Sequence, residues 1–294
     1  MANGSSEEAL AFTLKYNPPM DIVAAEKALK EAKKILDQLG IVFLLSSGTC
    51  LGAIRDNAFI PWDDDIDLIA VIGINDLTWE SVDTAIATFR ENGYFVYESK
   101  GTNSRSFSMM KDHVRTGWDC YHIVGENVWV YPRTQIPARL FTEPTEIEFM
   151  NQQFLVPNPP EEYLRLKYGE EWRTPKRPGA YEKDVVSKIP SATLTGHPAR
   201  LRVLDEEGNP VVEAEVSLAG GGSATTDEAG YADVILAGAD WYALVIRYPG
   251  HETVLYMEEL EPGKTYVYRA DFEATVARNV SGKTGTLGNV LTQE

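Results

Sequence analysis

Cysteine, histidine and long apolar runs are all scarce in this chain, and each scarcity excludes something. Two cysteines, Cys50 and Cys120, cannot build a disulfide framework. Four scattered histidines without a Cys-x-x-Cys pair offer no zinc centre. No apolar run reaches the roughly 18 residues of a membrane helix. The opening Met1–Glu8 lacks a basic stretch followed by an apolar one, so no secretory signal and a cytoplasmic location are expected. Asn3-Gly-Ser and Asn279-Val-Ser fit the glycosylation pattern, which matters only with a route to secretion. Basic residues are also in short supply. The formal net charge is -17, and both the first 190 residues and the remainder are acidic. A nucleic-acid partner, which calls for a basic face, is therefore not expected. The acidity serves solubility.

What is present suits two ordinary domains. The 294 residues are 44% hydrophobic and 24% charged. Asp21 to Leu39 has apolar residues at helical spacing (Ala28, Leu29, Ala32, Ile35, Leu36), and Gly40 marks its end. A short strand is expected at Ile41–Leu45, a turn at Gly48-Thr49 and a helix from Cys50. Further strands are expected at Asp65–Ile72, Tyr94–Glu98, Ser106–Lys111 and Asp119–Val124. Val128–Tyr131 reads as a partner for the last of these, and helices are expected at Ser81–Asn92 and Glu161–Tyr168. After Pro190 the character changes. Residues 191–199 read as a linker. Residues 200–273 hold short strands separated by Gly/Pro turns, the pattern of a small β-sandwich, and 274–294 read as a tail.

The densest charge lies in the most apolar neighbourhood. Asp63, Asp64, Asp65 and Asp67 sit between Ile60-Pro61-Trp62 and Leu68-Ile69. In a strand, Asp63, Asp65 and Asp67 share one face at spacings of about 6.6 Å, and Ile66, Leu68 and Ala70 share the other. Such carboxylates suit one hard divalent cation, or two about 3.5–4 Å apart. The simplest reading of an acidic run is a solvated turn, which these apolar flanks oppose. An EF-hand is excluded because its sixth and twelfth positions would be Leu68 and Ile74. Upstream, the N–H groups of Gly48 and Thr49 could cradle a phosphate, and Arg55 could add a positive fork. A Gly-Thr turn followed by an Asp-hydrophobic-Asp strand describes a nucleotidyltransferase site. Asp119 in GWDCYHI is the candidate third carboxylate.

SSGTCLGAIRDNAFIPWDDDIDL (Ser46–Leu68) and EEYLRLKYGEEWRTP (Glu161–Pro175) resemble the signature segments of the LicD family, which includes fukutin-related proteins. IEFMNQQFLVPNPP before the second segment also fits, whereas WDCYHI departs from the family's usual third-strand wording. The resemblance spans roughly residues 22 to 178. It implies an α+β, polymerase-β-like nucleotidyltransferase domain over residues 1–190 and a divalent cation, Mg²⁺ or Mn²⁺, on Asp65, Asp67 and Asp119. It further implies transfer of a phospho-alcohol group (phosphocholine, ribitol phosphate or similar) from a CDP-activated donor to a glycan hydroxyl. Catalysis would fall to Asp65, Asp67 and Asp119, and donor binding to Gly48, Thr49, Arg55 and Lys111. His113 and Arg115 are further candidates for donor phosphate. Two alternatives stand beside this reading: a nucleotidyltransferase moving a nucleoside monophosphate, and a degenerate, purely binding protein.

Cys50, Cys120 and His122 read as core residues, and Trp172 and Tyr168 as packing. SGKTG (Ser281–Gly285) lacks the preceding glycine of a phosphate loop. LRVLDEEGNPVVEAEVSL, ATTDEAGYADV and YALVIRYPGHE resemble the carboxypeptidase regulatory-like, transthyretin-like β-sandwiches. That likeness implies an accessory module for an acceptor glycan or a partner protein.

Overall fold

A computed structural model describes residues 6–176, 180–270 and 290–294. The Ser281–Gly285 segment and most of the stretch read as a tail lie outside the described residues. The chain divides into two compact units. The first is Met1–Thr13, Asn17–Val130 and Thr134–Thr174, and the second is Leu14–Tyr16, Tyr131–Arg133 and Pro175–Glu294. No helix among the described residues is long and apolar enough to cross a membrane.

The chain opens with α1 (Ser6–Tyr16), of which Leu14–Tyr16 is assigned to the second unit, and the first unit continues with α2 (Ile22–Gln38). Asp21 caps α2 by accepting the Ala24 N–H at 2.8 Å, and Ala25, Leu29, Ala32, Ile35 and Leu36 form its buried stripe. There follow β1 (Leu44–Leu45), α3 (Ser47–Asp56), β2 (Asp65–Val71), α4 (Trp79–Glu91), β3 (Phe95–Lys100), β4 (Ser104–Lys111) and β5 (Val114–Tyr121). The five strands form one sheet in the order β1-β2-β5-β4-β3. β2 and β5 run parallel and the other pairs antiparallel. One face of this sheet carries Ile66, Leu68, Trp118, Phe107 and Met109, all buried, and Phe89 of α4 packs on Trp118. The other face carries the charge.

A three-stranded ribbon follows, β6 (Ile123–Val124), β7 (Asn127–Val130) and β8 (Thr134–Pro137). Then come α5 (Arg139–Thr142), the hairpin β9 (Thr145–Phe149) and β10 (Gln152–Val156), and α6 (Pro160–Tyr168). β7 pairs with β6 and β8; the expected pairing with the Asp119–Val124 stretch is thus present at Ile123–Val124, but that stretch is divided between β5 and β6.

The second unit holds α7 (Ala180–Lys188) and then strands alone: β11 (His197–Leu204), β12 (Glu215–Leu218), β13 (Ser223–Thr225), β14 (Tyr231–Leu236), β15 (Asp240–Tyr248), β16 (His251–Leu260), β17 (Thr265–Arg269) and β18 (Thr292–Gln293). They form two sheets, β14-β11-β17-β18 and β13-β12-β15-β16. Alternate residues of both sheets, among them Leu201, Val203, Val216, Leu244, Ile246 and Leu255, meet in a single core, which makes the unit a β-sandwich. β11 starts at His197, inside the stretch read as linker. The end of the chain is no loose tail either. β18 pairs with β17, and buried Glu258 accepts the Val290 and Leu291 N–H groups at 2.7 and 3.1 Å.

Helix α3 starts at Ser47, three residues earlier than its sequence suggested, so Gly48 and Thr49 belong to its first turn. Further along, Gly52 lets the helix lie directly on the Ala58–Ile60 backbone. A Cβ there would collide with the Ala58 carbonyl oxygen and stand 3.2 Å from Ile60 N. Backbone atoms cannot swing aside as a side chain can. Gly52→Ala is therefore expected to lower stability by about 1–3 kcal/mol in denaturant unfolding, the usual cost of overpacking.

Candidate active site

The site begins at the junction of α3 and β2. Ser46 precedes α3 in the N-cap position but makes no side-chain cap. The cap comes instead from β2. Asp67 Oδ2 accepts the Gly48 N–H at 2.8 Å and the Thr49 N–H at 3.3 Å. Thr49 Oγ1 in turn accepts the Asp67 N–H at 2.9 Å, and the Ser46 N–H donates to the Asp67 carbonyl at 3.0 Å. A carboxylate at a helix N-terminus is stabilised by unpaired N–H groups and by the helix dipole. This corrects the sequence expectation. The Gly48-Thr49 N–H groups do hold an anion, but it is the chain's own Asp67. Ser47 sits in the left-handed region at φ 40°, and its N–H donates to the Tyr163 hydroxyl at 3.1 Å. A Cβ on Gly48 would run into the Asp63 carboxylate, which would have to move aside.

The parallel register of β2 and β5 sets Asp65 beside Arg115, Asp67 beside Gly117 and Ile69 beside Asp119. Arg115 is buried. Its Nε donates to Asp65 Oδ2 at 3.1 Å, and its Nη2 makes a short ion pair with Asp64. The guanidinium therefore ties down two of the four clustered acids. Asp119 Oδ2 accepts from the Tyr121 hydroxyl at 3.2 Å, and the Ser106 hydroxyl also hydrogen-bonds this carboxylate. Asp63, Asp64 and Asp65 each offer an oxygen, and the three lie within 4.8 Å of one another. Among the described residues this is the only such trio. Asp65, Asp67 and Asp119 line the same sheet face but are not gathered as tightly.

Sequence reasoning missed Lys167. It lies one helical turn beyond Tyr163 on α6 and is only 7% exposed. Burial pushes its pKa down, opposed by the charges of Asp67 and Asp119. Asp67 is the mirror case. Burial first, and then Asp65 and Asp63, push its carboxyl well above the ordinary carboxylate value. Asp119 is also raised by burial, partly offset by Ser106, Lys167 and Tyr121.

Other candidates fall elsewhere. Lys111 does not join the carboxylates. Strand alternation turns it to the helical face, where its Nζ donates to Glu31 at 2.7 Å and to the Asn92 carbonyl at 2.8 Å. His113 is exposed at φ 62° in the two-residue turn between β4 and β5. Arg55, two turns along α3 from Gly48, is held by Asp56 with Nη2 at 2.6 Å from Oδ2. Cys50 and Cys120 are buried free thiols whose pKa values burial raises, so both are poor nucleophiles. His122 is not a core residue: it is exposed and accepts the Trp79 indole N–H at 3.0 Å. Tyr168 and Trp172 are buried.

These environments give a pH dependence. In the metal-free protein Asp67 binds its proton more tightly when folded than when unfolded, where its pKa is near 3.8. Ionising it thus costs stability, and the loss grows as pH rises above that value. Asn at this position keeps an oxygen to cap α3 and sheds the charge. Asp67→Asn is expected to gain on wild type between pH 4.5 and 7.5 in EDTA, as read by denaturant unfolding. Asp67→Ala loses the cap as well and should be less stable than Asp67→Asn by about 1 kcal/mol. A flat difference between wild type and Asp67→Asn across that range would contradict the assigned cause.

Comparison with known proteins agrees with this geometry. Residues 40–159 match the family model described as "LicD/FKTN/FKRP, nucleotidyltransferase domain". The chain is 30% identical over 184 residues to the ribitol-5-phosphate transferase FKTN of Homo sapiens, covering 58% of this chain and 39% of the relative. The Macaca fascicularis and Mus musculus proteins of the same name give the same figures. The chain thus spans about two-fifths of the length of these relatives. A crystal structure of an antigenic nucleotidyltransferase-like protein from Paracoccidioides brasiliensis is 14% identical, with a TM-score of 0.35 over 51% of this chain and 67% of that one. The motif, its placement on β2 and α3, and the matched residues agree: residues 40–159 are similar to the nucleotidyltransferase domain of the LicD family.

Proposed function

We propose that the chain is a metal-dependent phosphotransferase. It moves a phospho-alcohol group, with ribitol phosphate the first candidate, from a CDP-activated donor to a hydroxyl of a glycan. The observation that carries this reading is the cluster of carboxylates on one half-open sheet face, locked in place by the α3 N-terminus. The similarity to proteins named ribitol-5-phosphate transferase supports the choice of transferred group.

The residues present fit a divalent cation. Asp63, Asp64 and Asp65 offer only oxygens, all within 4.8 Å, the donor type that Mg²⁺ and Mn²⁺ prefer. Burial, and then repulsion from Asp65 and Asp63, already raises the Asp67 carboxyl, and a cation would relieve the repulsion. Asp65 and Asp67 would hold it, with Asp63 beside them. Bound there, the cation would neutralise phosphate charge during transfer.

The chain's own groups do the rest. Asp119 accepts the proton of the attacking hydroxyl, and its raised pKa brings it nearer to working pH as a base. Tyr121 and Ser106 fix its orientation by hydrogen bonds. The hydroxyl oxygen forms a bond to the phosphorus that bears the alcohol. The bond from that phosphorus to the bridging oxygen breaks, and CMP leaves. Arg115 holds Asp64 and Asp65 in place, and Lys167 offsets charge behind Asp67 and Asp119. The β-sandwich unit is proposed as an accessory module for acceptor or partner contact.

The test is CMP release from a panel of CDP-alcohols with Mg²⁺ or Mn²⁺ and a panel of sugar acceptors. Wild type should release CMP, EDTA should stop it, and Asp65→Asn/Asp67→Asn should lose about a hundred-fold or more. Release that survives both EDTA and the double substitution counts against the metal assignment. Alcohol phosphate released in place of CMP, with the CMP left on the acceptor, or pyrophosphate released when CTP replaces the CDP-alcohols, would make the chain a nucleotidyltransferase of the alternative kind.

A further inference from the structure

Gly117 stands in the middle of β5, the central strand of the sheet, and nothing in the fold requires a glycine there. It has no positive φ. A Cβ built on it would make only ordinary contacts, 3.6 Å from the Ile66 carbonyl oxygen and 3.9 Å from Asp65 Oδ2. Glycine weakens a strand interior, and where folding does not require it, it commonly marks the close approach of a ligand. Its surroundings match that role. Across the sheet, the register places Asp67, Gly117, Ser108 and Tyr97 in one row over β2, β5, β4 and β3. The next row is Ile69, Asp119, Ser106 and Ser99. Directly opposed residues share a face, so both rows lie on the carboxylate side.

That side is partly open at mid-sheet. Asp67, Gly117, Asp119, Ser106 and Ser108 are each only part-buried, and Tyr97 is 36% exposed. The residues beneath them on the other face, Leu68, Trp118 and Phe107, are at most 1% exposed. Neighbouring strands are about 4.8 Å apart, so Asp67 and Ser108 are separated by roughly 10 Å with a bare floor between them. The row therefore runs from a carboxylate across open floor to a hydroxyl and then an aromatic ring. A phosphate belongs beside the cation that Asp65 and Asp67 would hold; Arg115 is already tied to Asp64 and Asp65, and further along the row the floor offers the Ser108 hydroxyl and the Tyr97 ring. A neutral, many-hydroxyl group fits that stretch. Its hydroxyls meet carboxylate and serine, and its C–H surface lies toward the ring.

We propose that the row Asp67–Gly117–Ser108–Tyr97 is the floor on which a polyhydroxylated group lies, either the alcohol of the donor or the sugar of the acceptor. The inference rests on the transferase reading above and names where its polyol is held.

The experiment measures CMP release from CDP-ribitol by the full chain, with each sugar that supports turnover as acceptor. It compares wild type, Gly117→Ala and Ser108→Ala, with CMP as product inhibitor. Gly117→Ala should melt at the wild-type temperature or above. Both variants should raise one KM about tenfold, the usual effect of a misplaced methyl or a lost hydroxyl contact, and leave the inhibition constant of CMP unchanged. A shift in the donor KM assigns the floor to the alcohol; a shift in the acceptor KM assigns it to the sugar. If the CMP inhibition constant rises in step, the nucleotide lies there and the proposal is overturned. It is equally overturned if wild type turns over and neither variant changes either KM. A folded wild type that releases no CMP from any CDP-alcohol overturns the transferase reading, and this inference with it. Ser108→Ala, which only deletes a hydroxyl, keeps the test decisive should Gly117→Ala fold poorly.

Discussion

The carboxylate of Asp67 at the N-terminus of α3 is the contact on which the site depends. One oxygen closes two orphan N–H groups of the helix, Gly48 and Thr49, and Thr49 Oγ1 accepts the Asp67 N–H in return. Helix and strand are thereby locked in one register. That register sets which residues of β2 face the site, because a shift by one residue would turn Asp65 and Asp67 inward and Ile66 and Leu68 outward. The lock also explains the two glycines of α3. Gly48 leaves room for the Asp63 carboxylate, and Gly52 lets the helix descend onto the Ala58–Ile60 backbone.

The same contact concentrates charge at some cost. Four acids of the Asp63–Asp67 run and Asp119 share a small region, and burial plus mutual repulsion raise the Asp67 carboxyl. Two buried cations from distant parts of the chain offset this. Arg115 comes from the neighbouring strand and Lys167 from α6. Their placements differ in kind. Arg115 sits directly beside Asp65 by strand register, whereas Lys167 reaches the region because α6 sets Tyr163 against Ser47 one turn earlier. A protein selected for stability alone would have fewer acids here, and local conflict of this sort is characteristic of functional sites.

Much of this was legible in the sequence, and the failures have physical causes. The apolar stripe of α2 and the alternation of Ile66 and Leu68 with Asp65 and Asp67 are local patterns, so the elements and their faces followed directly. The Asp-rich strand and the Gly-Thr segment pointed to the candidate site, and the structure places them side by side. What they could not reveal was that each is the other's partner, because nineteen residues of chain separate Gly48 from Asp67. Without that knowledge, Ser46 to Thr49 looks like a turn open to an outside anion. Lys111 was misplaced for a simpler reason. Its strand was recognised, but a lysine one position out of phase with Ser106 and Ser108 must face α2 and the end of α4. Lys167 was hidden because a lone lysine on an amphipathic helix reads as solvent-facing until the neighbour that buries it is known.

Parity ultimately divides the work of the central sheet. Along β5 the residues alternate between Thr116, Trp118 and Cys120, which are buried, and Gly117 and Asp119, which are part-exposed. Along β4 they alternate between Phe107 with Met109 and the serines at 104, 106 and 108. One face thus collects Trp118, Phe107, Met109 and Leu68, whereas the other is small or polar at its centre, at Asp67, Gly117, Asp119, Ser106 and Ser108, with buried Ile69, Met110 and Tyr121 around it. A centre made of small side chains contributes little to folding, since each buries little apolar surface. The chain nevertheless keeps that centre through its middle strands, beside its most costly charges, and packing alone does not account for it.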